Sequence, residues 1–199
     1  MKTIYLLRHG QTNWNLFKDI PYSKENHNCH LNENGIKQAK ELAALLKDKN
    51  IEYIYSSNLL RAQDTTKIIS KILNVNYEIV EGLEEFSMYD DSIVGLLREQ
   101  RDKIVGIENF NKCYDNKDDL MDWRPLNCET KREARTRIYK TILDICSKTN
   151  YNTIAIASHG SILREFMRAC NIDQEKTMNN CDYTKIIYNN SNFLISGSK

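Results

Sequence analysis

Short apolar runs recur along the chain, and longer stretches of mixed polar and apolar residues separate them. Runs of this length predict strands. We expect strands at 3–8, 51–57, 77–83 and 152–158, and a hairpin of two short strands within 184–196, turning at Asn189 and Asn190. The run at 152–158 shows no alternation of apolar and polar residues, so it is expected to be buried on both faces of a sheet.

The intervening stretches have apolar residues three or four positions apart, which is the spacing of amphipathic helices. Helices are predicted at 35–49, 58–73, 131–148 and 161–170, with Asn32 as the N-cap of the first. In the first two helices, the side chains expected to face the core are Ile36, Ala39, Leu42, Ala43, Leu46, Ala62, Thr65, Ile69 and Ile72.

Strands that alternate with helices predict an α/β fold with a mainly parallel sheet and helices on both faces. The 199 residues fit a single domain spanning 1–199. Residues from about 86 to 128 follow no clear period and are mixed in charge. We expect them to form an irregular or helical insertion over one edge of the sheet.

The charges nearly balance, with 28 Lys and Arg against 27 Asp and Glu. This balance favours neither nucleic acid nor an anionic membrane as a partner. The first apolar run is too short for a signal peptide and no run could span a membrane, so a cytoplasmic protein is expected. The six cysteines form no CxxC pair and are expected to be reduced thiols. The oligomeric state stays open, a dimer included.

Two His-Gly pairs stand at matching places in the predicted fold. His9 and Gly10 follow the first strand, and His159 and Gly160 follow the strand at 152–158. In parallel sheets, ligands bind beyond the carboxyl ends of the strands. If these two strands are neighbours, both histidines lie side by side at the ligand-binding edge.

Further charged residues follow the other strands at the same edge. Arg61 lies in the first turns of the helix after the second strand, and Glu84 and Glu85 come just after the third. Together with Arg8, Arg61 would suit a doubly charged tetrahedral anion, because guanidinium groups pair well with phosphate oxygens. A neutral imidazole can attack phosphorus, and a protonated carboxyl can supply the proton to the leaving group.

A metal site is the main alternative for two histidines and a glutamate. Two arginines in the same pocket disfavour a dication, and the sequence holds no HxH or HExxH spacing. His27, Cys29 and His30 lie close in sequence, but a solvated loop is the better interpretation of this polar stretch. No metal or other cofactor is expected.

Six motifs follow one another from Leu7 to about Arg164: RHGQTNWN, LNENGIKQA, IYSSNLLRAQDT, GLEEF, ETKREARTR and ASHGSILR. In kind and order they resemble those of the histidine phosphatase superfamily, which includes the cofactor-dependent phosphoglycerate mutases. The resemblance implies that His9 is the phosphorylated nucleophile and that Arg8, Arg61 and His159 form the phosphate pocket.

The same resemblance assigns roles to residues around these four. It implies Asn15 as a further phosphate ligand, and Gln11, Thr12 and Gly160 as residues lining the substrate pocket. Glu85 is implied as the proton donor because it stands two residues after Leu83. The family often has a glycine four residues after this glutamate, where this chain has Tyr89, so Glu84 stays an alternative. Glu129 and Arg137 match a family spacing and are expected to be structural.

Within this family, the sequence favours a phosphatase acting on a small phosphorylated metabolite. The glycolytic mutases carry a Gly-Trp stretch shortly after the first motif, and this chain has none there. A cofactor-dependent phosphoglycerate mutase is the second interpretation. A non-catalytic phosphate-binding module is the third, and the presence of both His9 and a glutamate donor counts against it.

Overall fold

The computed structural model describes residues 1–17, 19–86, 93–97, 99, 100, 103, 129–172, 177–190 and 192–198. In these ranges the strands are β1 (Lys2–Arg8), β2 (Tyr53–Ser56), β3 (Asn76–Ile79), β4 (Thr153–Ser158), β5 (Tyr183–Asn189) and β6 (Asn192–Ser198). The α-helices are α1 (Asn13–Leu16), α2 (Lys24–His27), α3 (Glu33–Leu46), α4 (Leu60–Leu73), α5 (Lys131–Lys148) and α6 (Gly160–Ala169).

The strands form one mixed sheet in the order β3-β2-β4-β1-β5-β6. The first four strands are parallel, and β5 and β6 are antiparallel to their neighbours. β1 and β4 are adjacent, with Arg8 opposite Ser158 at their carboxyl ends. This pairing confirms the predicted fold class and brings the residues after the two strands, His9 and His159, to one edge.

The two faces of β1 pack against different helices, because successive side chains of a strand point to opposite sides. Ile4 and Leu6 belong to a core with side chains of α5 and α6. Tyr5 and Leu7 belong to a second core with side chains of α3 and α4. Helices therefore cover both faces of the sheet, as the alternation of strands and helices predicted.

Asn32 is the N-cap of α3, as predicted, and its Oδ1 accepts a hydrogen bond from Gly35 N at 2.8 Å. Two predicted core positions are wrong, since Ile36 is 39% exposed and Ile72 is 38% exposed. Ile36 lies in the first turn of α3, where the buried residue is Gly35, and Ile72 lies in the last turn of α4. At the start of α3 the side that contacts the rest of the protein is occupied by Gly35, which lies against Gln11, so the adjacent Ile36 faces solvent.

The third strand is shorter than predicted, ending at Ile79 instead of residue 83. Val80 N makes one more bond of the ladder, to Ser56 O at 2.8 Å. Gly82 then adopts a φ of +92°, a left-handed conformation that turns the chain away from the sheet. After this turn, Leu83 O accepts a hydrogen bond from Ser158 Oγ at 2.7 Å, so the chain is next to the carboxyl end of β4 just before Glu84 and Glu85.

Cys29, Cys146, Cys170 and Cys181 are free thiols, as expected, while Cys113 and Cys128 lie outside the described residues. Burial raises the pKa of Cys146 to about 12. Most of the predicted insertion at about 86–128, including Tyr89, also lies outside the described residues. No helix in the described ranges is long and apolar enough to cross a bilayer.

Candidate active site

His9 leaves the end of β1 with its backbone still bonded to both neighbouring segments. Its N–H donates to Ser158 O at 3.1 Å, and its carbonyl oxygen accepts from Cys181 N at 3.2 Å. The side chain is only 3% exposed. The nucleophile proposed from the sequence is therefore held in place by β4 on one side and by the loop before β5 on the other.

The contacts of the His9 ring assign its tautomer. Nδ1 lies 2.7 Å from Gly10 O, and because a carbonyl oxygen can only accept, Nδ1 carries the proton. Nε2 then holds a lone pair, which accepts a hydrogen bond from Arg61 Nε at 3.2 Å. Burial lowers the pKa of His9 well below its usual value, and the positive charges of Arg61 and Arg8 lower it further. His9 is thus a neutral imidazole with Nε2 unprotonated.

Arg61 extends from the first turn of α4 into the same pocket and is 4% exposed. Its Nη1 donates to His27 O at 2.6 Å, while Nε faces His9. Burial lowers the pKa of Arg61, and the charge of Glu85 acts in the opposite direction. A guanidinium group stays charged under ordinary conditions, so Arg61 brings a buried positive charge beside His9.

The loop around α2 contacts the pocket and is not simply solvated, contrary to the interpretation from its composition. Asn28 Oδ1 accepts from Leu60 N at 2.8 Å and so caps the first turn of α4. The Tyr22 ring stacks on His27 and meets Trp14 edge-on. His30 is exposed and lies 2.7 Å from Asp64. Among the described residues, no group of three or more side chains could hold a metal ion.

His159 is the N-cap residue of α6 and is fully buried. Its ring centroid lies 5.1 Å from that of His9, with the two planes at 56°. Nε2 is 2.8 Å from Ser57 Oγ. Burial lowers the pKa of His159 well below its usual value, and the positive charges of Arg61 and Arg8 add to this. The pocket therefore holds two neutral imidazoles and two guanidinium groups.

Arg8 and Gly160 meet at the first turn of α6. Arg8 Nη1 donates a short hydrogen bond to Met178 O. A Cβ atom on Gly160 would lie 2.5 Å from Thr177 Cγ2 and 3.1 Å from Arg8 Nε. Gly160 thus leaves room for the Arg8 side chain, because any side chain at position 160 would displace Arg8 or Thr177.

The two glutamates after β3 point to different partners. Glu85 Oε2 accepts from Ser161 N at 3.1 Å and Oε1 accepts from Ile162 N at 2.9 Å, in the first turn of α6. Glu84 Oε2 accepts from Gly82 N at 2.7 Å and lies 3.4 Å from Arg137 Nη1. The geometry therefore brings Glu85, and not Glu84, to the first turn of α6, directly after the N-cap residue His159, and near enough to Arg61 to affect its pKa.

Arg137, on α5, binds the segment 82–84 that leads from β3 to Glu85. Its guanidinium pairs with both carboxylate oxygens of Glu129, and its Nη1 also donates to the carbonyl oxygens of Gly82 and Glu84. Four contacts from one side chain fix the path of the chain between β3 and Glu85. Glu129 and Arg137 are accordingly structural contacts, as the sequence indicated.

The remaining predicted residues lie between β1 and α3. Thr12 is buried and caps α1, while the Gln11 carboxamide oxygen accepts from Asn32 and Asn34 and so is directed toward α3. Asn15 Oδ1 accepts from Thr12 N at 3.2 Å. Since that donor is a backbone N–H, the other end of the Asn15 amide is its NH2 group, and the role of Asn15 as a phosphate ligand stays a prediction.

Three residues of the site were missed from the sequence. Asn180 Nδ2 donates to His9 O at 3.0 Å and to Asn15 Oδ1 at 3.3 Å. Ser57 contacts His159, as described above. Gly35 lies against the Gly10–Gln11 backbone, where a Cβ would meet Gln11 O at 2.1 Å. Ser57 directly follows a strand and could have been found by the rule used for the histidines, whereas Asn180 has no such signal.

Comparison with known proteins agrees with the fold and the motifs. The family-wide profile of the histidine phosphatase superfamily (branch 1) matches residues 4–198. A probable phosphoglycerate mutase of Proteus mirabilis is 25% identical over 99% of this chain and 90% of its own length. A metal-independent phosphoserine phosphatase of Arabidopsis thaliana is 30% identical over 81% of this chain and 65% of its own length.

The fold of this chain is also similar to that of a solved structure. The mycobacterial glucosyl-3-phosphoglycerate phosphatase, solved as a complex with VO3, superposes with a TM-score of 0.80 over 98% of each chain at 17% identity. Because the family profile spans nearly all the residues, and the motifs converge on one pocket, this chain belongs to the histidine phosphatase superfamily.

Proposed function

We propose that this protein hydrolyses small phosphate monoesters through a phosphohistidine on His9. The observation that carries the proposal is the assigned tautomer of His9, with Nδ1–H bonded to Gly10 O and the Nε2 lone pair directed toward the buried Arg61. A nitrogen lone pair beside guanidinium groups is the arrangement needed to attack a bound phosphoryl group.

In the first step, the phosphoryl group of the substrate takes the place of His9 Nε2 as the partner of Arg61. Arg8 and Arg61 neutralise its charge, and neutral imidazoles avoid further crowding of positive charge. The Nε2 lone pair forms a bond to phosphorus as the bond from phosphorus to the leaving oxygen breaks. Glu85, when protonated, gives its proton to that oxygen, so the alcohol departs neutral.

In the second step, water attacks phosphorus on the phosphohistidine, and the bond to His9 Nε2 breaks. The Glu85 carboxylate accepts a proton from the attacking water, which restores its protonated form and releases phosphate. Ser161 N and Ile162 N hold this carboxylate at the first turn of α6. The same side chain can thus serve both steps from one position.

A phosphoglycerate mutase is the second proposal, and the relative from Proteus mirabilis supports it because that protein matches almost the whole chain. A mutase would return the phosphoryl group to another hydroxyl in place of water. The absence of the Gly-Trp stretch after the first motif favours the phosphatase. The relative from Arabidopsis thaliana, a phosphoserine phosphatase, also supports the phosphatase over the mutase.

The first experiment measures release of p-nitrophenol from p-nitrophenyl phosphate by the wild type and by His9→Ala. We expect turnover in the wild type and none in His9→Ala, with His30→Ala, at an exposed histidine outside the pocket, as the matched control. Turnover by His9→Ala at the wild-type rate would contradict a nucleophilic role. A wild type that binds phosphate without turnover would favour a binding module.

The second experiment separates phosphatase from mutase with 3-phosphoglycerate as the substrate. Release of inorganic phosphate supports hydrolysis, and formation of 2-phosphoglycerate supports the mutase. A panel of phosphorylated metabolites, phosphoserine included, then identifies the leaving group that the pocket prefers.

A further inference from the structure

Ser57 stands immediately after β2 and is completely buried. Its Oγ accepts a hydrogen bond from Leu59 N at 3.3 Å and lies 2.8 Å from His159 Nε2. A serine hydroxyl has one hydrogen to donate and two lone pairs to accept with. The contact with Leu59 uses a lone pair, so the hydroxyl hydrogen still needs an acceptor.

Within the described part of the chain, His159 Nε2 is the only acceptor that Ser57 Oγ reaches. If Nε2 carried the proton instead, it would donate to Oγ, and two buried groups would lack partners in the described ranges: the hydroxyl hydrogen and the lone pair of Nδ1. With the proton on Nδ1, only the Nδ1–H group lacks a partner there, and a bound anion can accept from it. Each unsatisfied buried polar group is unfavourable. The hydroxyl of Ser57 therefore donates to Nε2 of His159.

This direction of donation decides the state of the other ring nitrogen. His159 is neutral, because burial and the nearby arginines lower its pKa, and a neutral imidazole carries a single proton. With Nε2 accepting from Ser57, that proton is on Nδ1. Nδ1 is buried and has no hydrogen-bond partner among the described residues. The ring therefore offers one unused N–H donor beside His9.

We propose that Ser57 is a positioning residue that holds His159 in the Nδ1–H tautomer, so that Nδ1 donates to an oxygen of the bound phosphoryl group. The phosphoryl oxygen as the acceptor rests on the proposed function, whereas the tautomer of His159 does not. Without Ser57, His159 can place its proton on Nε2, and the bare Nδ1 lone pair would then face the anion. The proton of Nδ1–H stays on the nitrogen throughout and is not transferred.

The tautomer is tested directly by nitrogen-15 NMR of histidine-labelled protein at neutral pH without substrate. Protonated and unprotonated nitrogens of a neutral imidazole have well-separated resonances, and a His159→Asn variant assigns the signals. We expect Nδ1–H in the wild type and in Ser57→Thr, which keeps a hydroxyl, and a gain of Nε2–H in Ser57→Ala. Ser56→Ala is the matched control, because Ser56 Oγ bonds Ser57 O and Thr66 and contacts neither histidine.

A wild-type His159 protonated on Nε2 would overturn the proposal, and so would an unchanged tautomer in Ser57→Ala. The wild-type spectrum alone decides the first point, even if Ser57→Ala fails to fold. Neither result depends on turnover, so failure of the proposed phosphatase activity would be recognised separately.

The consequence for the anion is measured with inorganic phosphate by calorimetry. Losing one hydrogen bond to a charged acceptor predicts phosphate affinity about tenfold to a hundredfold weaker in Ser57→Ala. Ser57→Thr should recover most of the affinity, and Ser56→Ala should match the wild type. Equal phosphate affinity in Ser57→Ala and the wild type would contradict the donation from Nδ1.

Discussion

The imidazole rings of His9 and His159 lie 5.1 Å apart at the ends of two adjacent parallel strands. Both rings are buried, and both share the pocket with Arg61. Burial disfavours the protonated form of either ring, and the positive guanidinium groups disfavour it further. The folded protein therefore resists protonation at two places where the unfolded chain accepts protons readily.

This difference predicts that acid destabilises the fold. The folded pKa of each ring lies below the unfolded value of about 6.5, so the unfolded state binds more protons below that pH. We expect the free energy of unfolding to be flat above about pH 6.5 and to fall below it. The loss should reach up to about 1.4 kcal/mol per pH unit for each histidine.

Urea unfolding at pH 7, 6 and 5 in a phosphate-free buffer measures this slope. Replacing one ring, as in His9→Gln, should remove roughly half of it, because each histidine contributes at most one proton. An unfolding free energy that does not change from pH 7 to pH 5 would contradict the burial of two neutral imidazoles.

Glu85→Gln and Glu84→Gln form a matched pair for the proton donor. With an alkyl phosphate, we expect Glu85→Gln to lower kcat/KM by about 10²- to 10⁴-fold, because the leaving oxygen needs a proton. With p-nitrophenyl phosphate the loss should be much smaller, since p-nitrophenolate leaves without one. Glu84→Gln should stay close to the wild type with both esters, and the reverse pattern would assign the role to Glu84.

Asn180→Ala tests the contact that holds the His9 carbonyl oxygen. The variant loses the bonds from Asn180 Nδ2 to His9 O and to Asn15 Oδ1. We expect the free energy of unfolding to fall by about 1–2 kcal/mol, along with a lower kcat/KM. Asn179→Ala, at the exposed neighbouring position, should change the unfolding free energy by less than about 0.5 kcal/mol. Equal effects of the two substitutions would count against a specific role for Asn180.

Gly35→Ala tests the close approach of α3 to the loop after β1. The added Cβ would lie 2.1 Å from Gln11 O, so the helix or the loop must move. We expect a loss of about 1–3 kcal/mol in the free energy of unfolding, although alanine favours helices more than glycine does. Lys37→Ala, at an exposed position of the same helix, should cost less than about 0.5 kcal/mol. A Gly35→Ala protein as stable as the wild type would contradict this packing.

Much of the fold and part of the site could be predicted because they depend on local patterns. The apolar run before His9 and the run before His159 predicted two buried strands, and both end where the sequence indicated. The spacing after the second strand placed Arg61 in the first turns of a helix, where it lies. Local patterns failed at helix ends, as with Ile36 and Ile72, because burial there depends on which side of the turn a distant segment contacts, as the Gly10–Gln11 backbone contacts Gly35.

The choice between Glu84 and Glu85 shows what lies beyond a local pattern. Both follow the same strand, and the family resemblance favoured Glu85 by its spacing from Leu83 while Glu84 stayed an alternative. The left-handed turn at Gly82 and the four contacts of Arg137 direct Glu84 away and leave Glu85 at the first turn of α6. The contacts of Arg137 with the carbonyl oxygens of Gly82 and Glu84 join residues more than 50 positions apart, and no period along the chain records them.

By itself, the sequence determined that the chain forms alternating strands and helices with a His-Gly pair after two of the strands, since periodicity and turn chemistry are local properties. Only the tertiary structure decided that β1 and β4 are adjacent, which of two glutamates lies at the first turn of α6, and which nitrogen of His9 carries the proton. These outcomes depend on which donors and acceptors become buried together. A hydrogen bond such as that between Ser57 and His159 exists only when distant segments are packed side by side.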